Sequence, residues 1–152
     1  MGEKQQPDNV VELRARALRL LARREHTRQE LENKLSPHAG SSEDLQGLIA
    51  GLKQKNQLSE ERYAEERARR LSRKYGAARI RQDLKAKGVS EELVSRFSSS
   101  ADELQKAKAI LERKYRTHAA TREERAKRMR FLQGRGFSFD IIRSLLSSRD
   151  AG

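Results

Sequence analysis

Leu84-Lys85-Ala86-Lys87-Gly88-Val89-Ser90, followed by Glu91-Glu92, decides how this chain folds. Glycine enters the left-handed conformation that ends a helix without a Cβ penalty. A serine just beyond can accept the amides that open the next helix, and acidic residues there suit the positive end of its dipole. The stretch reads as helix, tight corner, helix. The pattern returns at Leu132-Gln133-Gly134-Arg135-Gly136-Phe137-Ser138, with Asp140 beyond it. It also occurs at Leu52-Lys53-Gln54-Lys55-Asn56-Gln57-Leu58-Ser59, where Asn56 replaces the glycine, one extra residue is inserted, and Glu60-Glu61 follows. Three copies in one short chain mark an internal repeat.

A second element recurs upstream of two corners. Arg73-Lys74-Tyr75-Gly76 and Arg113-Lys114-Tyr115-Arg116 each close a long helical stretch. The middle helices of the outer units open with the capping-box pattern, Thr27-x-x-Glu30 and Thr121-x-x-Glu124. The expected fold is all-α, a tandem array of three three-helix repeats, elongated and modular. The first repeat spans residues 9–57, with helices near 9–25, 28–35 and 42–55, punctuated by Pro37 and Ser41-Ser42. The second spans 59–98, with helices near 60–75, 77–87 and 91–97, and ends in the linker Ser98-Ser99-Ser100. The third spans 101–148, with helices near 102–116, 122–133 and 139–147. Residues 1–8 and the closing Ala151-Gly152 are expected to fray.

Ala64, Ala68, Leu71 and Tyr75 share one helical face, with Arg62, Arg69 and Arg73 opposite. Ile80 and Leu84 face inward on the next helix, with Arg79 outward. Hydrophobic residues are 35% and charged residues 37% of the chain, against roughly 45–50% and 25% in ordinary domains. Such thin seams predict small cores, and modules that pack on their neighbours and flex between them. Tyr75 and Tyr115 occupy equivalent places in two repeats. Base stacking is one reading of them; their phase on the apolar seam favours core residues closing the helix ends. Phe97, Phe131, Phe137 and Phe139 are read as core. Gly76, Gly88 and Gly136 are read as corner residues with no contact role.

The chain of 152 residues carries a formal net charge of +12, unevenly spread. Residues 1–61 are neutral, 62–87 carry +7, 88–105 carry −3 and 106–135 carry +8. Two basic blocks of this size are the footprint of a partner made of phosphates or carboxylates. No segment is apolar enough to span a bilayer, no signal-peptide pattern opens the chain, and cysteine is absent, so a soluble cytoplasmic protein is expected.

Sites for catalysis are not visible. His26, His38 and His118 stand far apart, and none has a second histidine at helical metal-site spacing. Gly134-Arg135-Gly136 lacks the remaining glycines and the preceding strand of a phosphate loop. No nucleophile motif is present. A non-enzymatic protein without cofactor or metal is expected. The corners could also read as DNA-binding helix-turn-helix motifs. The helix after Ser90 presents Glu91, Glu92, Leu93 and Val94, which repel phosphate or suit packing, so sequence-specific readout of bases is disfavoured.

With these elements in place, the chain resembles the RecX family over about residues 10–147. The resemblance is carried by Leu58-Ser59-Glu60-Glu61-Arg62-Tyr63-Ala64-Glu65, by Ser72-Arg73-Lys74-Tyr75-Gly76, and by Arg79-Ile80-Arg81-Gln82-Asp83-Leu84-Lys85-Ala86-Lys87-Gly88-Val89. Ala17-Leu18-Arg19-Leu20-Leu21-Ala22-Arg23-Arg24-Glu25-His26-Thr27-Arg28-Gln29-Glu30-Leu31 and Arg130-Phe131-Leu132-Gln133-Gly134-Arg135-Gly136-Phe137 complete it. One departure stands out: many members have an aromatic and an aliphatic residue where this chain has Arg67 and Ala68, which thins that seam. The resemblance implies a regulator that lodges in the helical groove of the RecA nucleoprotein filament and inhibits RecA recombinase, ATPase and co-protease activity, with effects on DNA repair and the SOS response. A monomer is expected, since no heptad seam is visible.

The residues expected to meet RecA carboxylates or DNA phosphates, single- or double-stranded, form two basic sets. Arg62, Arg69, Arg70, Arg73, Lys74, Arg79, Arg81, Lys85 and Lys87 make the first. Arg113, Lys114, Arg122, Arg125, Lys127, Arg128 and Arg130 make the second. The competing account of any single one is a solvated face, which charge runs usually are. A basic nucleic-acid-binding module acting without RecA is the rival function, and a passive helical scaffold the third.

Overall fold

The structure is a computed structural model that describes residues 6–150; residues 1–5 and 151–152, expected to fray, lie outside the described residues. Among the described residues there are nine α-helices and no strand. They are α1 (Val10–Arg23), α2 (Arg28–Leu35), α3 (Ser42–Gln54), α4 (Glu60–Leu71), α5 (Ala77–Ala86), α6 (Glu91–Phe97), α7 (Glu103–Lys114), α8 (Arg122–Gly134) and α9 (Phe139–Asp150). A single 3₁₀ turn, Ser36–His38, holds Pro37 near its start and was not anticipated.

The three corners close identically. Asn56, Gly88 and Gly136 take φ of 59°, 80° and 92°. In each, the amide of the next residue returns to the carbonyl of a leucine five residues back: Gln57 to Leu52 at 2.8 Å, Val89 to Leu84 at 3.1 Å, Phe137 to Leu132 at 3.2 Å. The left-handed residue's own amide bonds Lys53, Lys85 or Gln133 at 3.0 Å. This is the Schellman arrangement, which pairs an apolar residue after the corner with one in the last helical turn. All three leucines are fully buried, and Val89 and Phe137 are buried. In the first copy the polar Gln57 follows the corner, and the inserted Leu58 supplies the buried apolar residue.

The caps follow the sequence with two adjustments: Ser90, expected to cap α6, makes no side-chain cap hydrogen bond there, and the last capping box is rearranged. Asn9 and Thr27 make reciprocal capping boxes with Glu12 and Glu30. Thr121 accepts the Glu124 amide at 3.0 Å, but the Glu124 carboxylate takes the amide of Ala120 at 2.9 Å instead of closing the box. Ser59 and Ser138 accept amides of α4 and α9 as expected.

The chain divides into two compact units at Tyr63/Ala64. In the first, Leu13, Ala17, Leu31, Leu35, Leu45, Leu48, Ile49, Leu52 and Leu58 form the core. Asp8 is tied down: its amide donates to the His38 carbonyl at 2.8 Å and its carboxylate meets Arg16 at 2.8 Å. In the second unit, Ala107, Ile110, Leu111, Leu132, Phe137, Ile142, Leu145 and Leu146 form a core shared by α7, α8 and α9. Ala64, Ala68, Ile80, Leu84 and Val94 are buried in the preceding helices. Arg67, where the seam was expected to be thin, lies on α4 and is held by both oxygens of Asp83 on α5 at 2.8 and 2.9 Å. No helix among the described residues is long and apolar enough to cross a membrane.

The second and third repeats share one unit because backbone meets backbone between them. Gly76 donates its amide to the Arg135 carbonyl at 2.7 Å. A Cβ on Gly76 would lie 2.6 Å from the Gly136 carbonyl oxygen, and one on Gly136 would lie 2.5 Å from Cβ of Arg79. Gly76, at φ −84°, is thus glycine for want of space, and both residues have a contact role that their reading as bare corners missed. Glu103, buried at the start of α7, accepts the Ala77 amide at the opening of α5 at 3.1 Å. The Lys106 ammonium lies 3.1 Å from its other oxygen. Independent flexing of these two repeats, expected from their small cores, is opposed by this junction.

Candidate functional site

At this junction the two Arg-Lys-Tyr copies converge. Helix α4 stops at Leu71, four residues short of the expected end, and a turn carries Arg73 and Lys74 to Tyr75, whose amide reaches back to the Leu71 carbonyl at 2.8 Å. Helix α7 ends at Lys114, and the Tyr115 amide reaches back to Leu111 at 2.8 Å. The equivalent tripeptides so leave their helices in the same way. The Arg113 guanidinium donates to the Arg73 carbonyl, linking them directly.

Between them lies an open cleft of about 430 Å³, lined by Arg73, Lys74, Tyr75, Ile110, Arg113, Lys114, Phe131 and Arg135. Five of these eight are cations and none is a carboxylate. Arg113 and Lys114 sit in the last turn of α7, where cations also offset the helix dipole. That accounts for two charges, not for five facing one space.

The aromatic rings hold the cations. Arg79 and Arg135 lie 4.9 and 5.4 Å from the Tyr75 ring centre. Lys114 and Arg135 lie 4.7 and 5.1 Å from that of Phe131. Phe131 also meets Tyr115 edge to face at 5.9 Å. A guanidinium stacked on a ring keeps its N–H edge free to bind. The half-buried tyrosines therefore serve neither wholly as core nor as open stacking platforms.

The anticipated basic sets divide accordingly. Arg73, Lys74, Arg113 and Lys114 line the cleft. Arg79 stands beside it, stacked on Tyr75 and bonded to the Gly134 carbonyl at 3.1 Å. Arg69, Arg70, Arg81, Lys85, Lys87, Arg122, Lys127 and Arg130 are exposed elsewhere, and Arg125 is half-buried. Two residues are committed to the fold. Arg62 bonds the Glu25 carboxylate and the Asn56 carbonyl, both at 2.8 Å. Arg128 is buried, donates to the Thr117 carbonyl at 2.7 Å, and lies 4.5 Å from the Tyr115 ring. Arg135 is the cleft residue that sequence reasoning passed over, because it was absorbed into the third corner motif; its place at the end of the second basic block was the available signal. Phe139, read as core, is exposed, with Arg143 over its ring at 4.6 Å.

Three stretches match RecX domain descriptions: residues 14–38 the first three-helix domain, 59–96 the second and 101–146 the third. The Regulatory protein RecX of Ralstonia nicotianae is 38% identical, over 95% of this chain and 92% of that protein. The chain belongs to the RecX family. The Regulatory protein RecX of Herbaspirillum seropedicae is 40% identical over 90% of both chains. The crystal structure of RecX from Lactobacillus salivarius superposes with a TM-score of 0.80, covering 94% of this chain and 97% of that one at 22% identity, which establishes a common fold. The second RecX domain match spans residues 59–96, so the boundary between compact units at Tyr63/Ala64 falls inside it.

Proposed function

We propose that this RecX chain is a non-enzymatic regulator that binds the RecA–DNA filament in its helical groove and inhibits RecA recombinase, ATPase and co-protease activity. It acts as a cytoplasmic monomer without cofactor, restraining recombinational repair and the SOS response. Family membership supplies the partner class. The observation that carries the reading to the surface of this chain is the carboxylate-free cleft, where five cations from three separate segments converge. A regulator that docks on a polyanionic filament needs such a surface, and positively charged clefts also speed encounter with it.

The test is RecA-dependent ATP hydrolysis on single-stranded DNA at physiological salt, titrated with substoichiometric protein, beside binding to the same naked DNA. Inhibition far below the concentration that coats bare DNA is the expected result. Inhibition only at saturation of naked DNA, or none, would hand the function to the rival, a basic nucleic-acid-binding module that needs no RecA.

A further inference from the structure

We infer that the cleft between the second and third repeats is a phosphate-reading site for a single strand of nucleic acid, engaging successive backbone phosphates and leaving the bases unread. The inference deepens the filament reading above and rests on its nucleic-acid side.

The ligand must bring several negative charges into one small space, because Arg73, Lys74, Arg113, Lys114 and Arg135 line it without a carboxylate among them. A phosphodiester chain delivers one charge per nucleotide at regular spacing. An acidic peptide would need a run of acids, and would find Ile110 as the only aliphatic side chain in the lining to anchor it. A duplex is too broad for a cleft of about 430 Å³ and would meet its rim alone.

The rings decide against base recognition. Base stacking needs an open aromatic face. Tyr75 carries the Arg79 and Arg135 guanidiniums, and Phe131 carries Lys114 and Arg135. With cations on the rings, the groups presented to a ligand are N–H edges, which match phosphate oxygens. Arg135 bridges both rings and is the pivot of the arrangement.

The experiment measures binding of the full chain to fluorescein-labelled oligodeoxythymidylate by anisotropy across a salt series. Lys74→Gln with Lys114→Gln, both exposed, is compared with Lys53→Gln with Lys55→Gln, an exposed pair in the other unit that removes the same charge. Loss of two phosphate contacts should weaken binding about tenfold and flatten the salt slope by about 1.4; the control pair should move neither so far. A strand of the same length built of abasic deoxyribose phosphate should bind like the thymidylate. Arg73→Gln with Lys74→Gln, confined to the turn, repeats the measurement if melting shows the first variant misfolded.

Equal losses from the cleft and control pairs would reduce the effect to overall charge and overturn the site. Failure of the abasic strand to bind would overturn its indifference to bases, and displacement of the strand by polyglutamate at equal charge would make the ligand an acidic protein surface. These readings use naked strand, so a wild-type chain that fails to inhibit RecA refutes the filament reading while the cleft is judged on its own.

Discussion

His26 is 1% exposed, sealed between α1 and α2. Its Nδ1 lies 2.9 Å from the Arg24 carbonyl and its Nε2 lies 3.0 Å from the Lys34 ammonium. An ammonium can only donate, so Nε2 accepts and Nδ1 carries the proton: the ring is neutral. Burial first, and then the charges of Arg24 and Lys34, hold its pKa below 6.5; the Arg24 carbonyl and Glu30 pull the other way without prevailing. The unfolded chain therefore binds the proton more readily than the folded one, and the sign follows. Stability is intact above pH 6.5 and falls as the pH drops toward the depressed folded value. Denaturant midpoints taken from pH 7.5 to pH 5 should decline in the wild type and decline less in His26→Gln. A midpoint equally pH-dependent in both would mean that this ring carries none of the effect. Nearby, burial raises the Glu30 pKa but the Arg24 guanidinium and the Thr27 amide bring it down to about 2, so its own contribution fades only in stronger acid. The capping role of Glu30 was legible in the sequence. The burial of His26 was not, because a histidine near a helix end gives no sign of which side chains will close over it.

At the scale of the elements, the chain distinguishes two uses of glycine. Gly88 is exposed at φ 80°. Alanine there meets mainly backbone strain, about 1 kcal/mol. Gly76 has an ordinary φ of −84°, yet a Cβ there would meet the Gly136 carbonyl oxygen at 2.6 Å. Backbone cannot swing aside as a flexible side chain can, so Gly76→Ala should cost about 1–3 kcal/mol by overcrowding. Gly76→Ala should thus lower the thermal midpoint more than Gly88→Ala, and should weaken strand binding as well. Equal shifts would mean that the close approach relaxes without consequence. Sequence reasoning located every corner, because a left-handed residue followed by serine is a local signal. It could not separate Gly76 from Gly88, because the contact of Gly76 lies 60 residues further along the chain. Nor could it find the end of α4 at Leu71, where the apolar seam continues to Tyr75 although the helical backbone does not.

For the whole molecule, stability should follow the compact units more closely than the count of repeats. The Gly76 amide on the Arg135 carbonyl, the Ala77 amide on Glu103 and the Arg113 guanidinium on the Arg73 carbonyl all join the second repeat to the third. Native-state hydrogen exchange should give Ile80 of α5 and Ile142 of α9, both buried, a common opening free energy. Gly76→Ala should separate them. Distinct values in the wild type would show the repeats opening independently. The two basic blocks were visible in the order of charges along the chain. That five of their members, Arg135 among them, would share one cleft was not, since convergence of the turn after α4, the end of α7 and the end of α8 is a property of the third dimension.

The joint between the repeats has a consequence for how variation in this protein will be read. One of its three hydrogen bonds, from the Gly76 amide to the Arg135 carbonyl, runs between peptide groups, present whatever the side chain. A scan that replaces residues one by one with alanine leaves the Arg135 carbonyl and the Gly76 amide where they were, and will report the joint as silent at Arg135 apart from the lost charge. The two glycines, where alanine adds an atom instead of removing some, will register that bond; Glu103 and Arg113, whose side chains complete the joint, will register it by loss. In a tolerance map of this chain the two glycines, 60 positions apart in sequence, would be the trace of one hinge that has been locked.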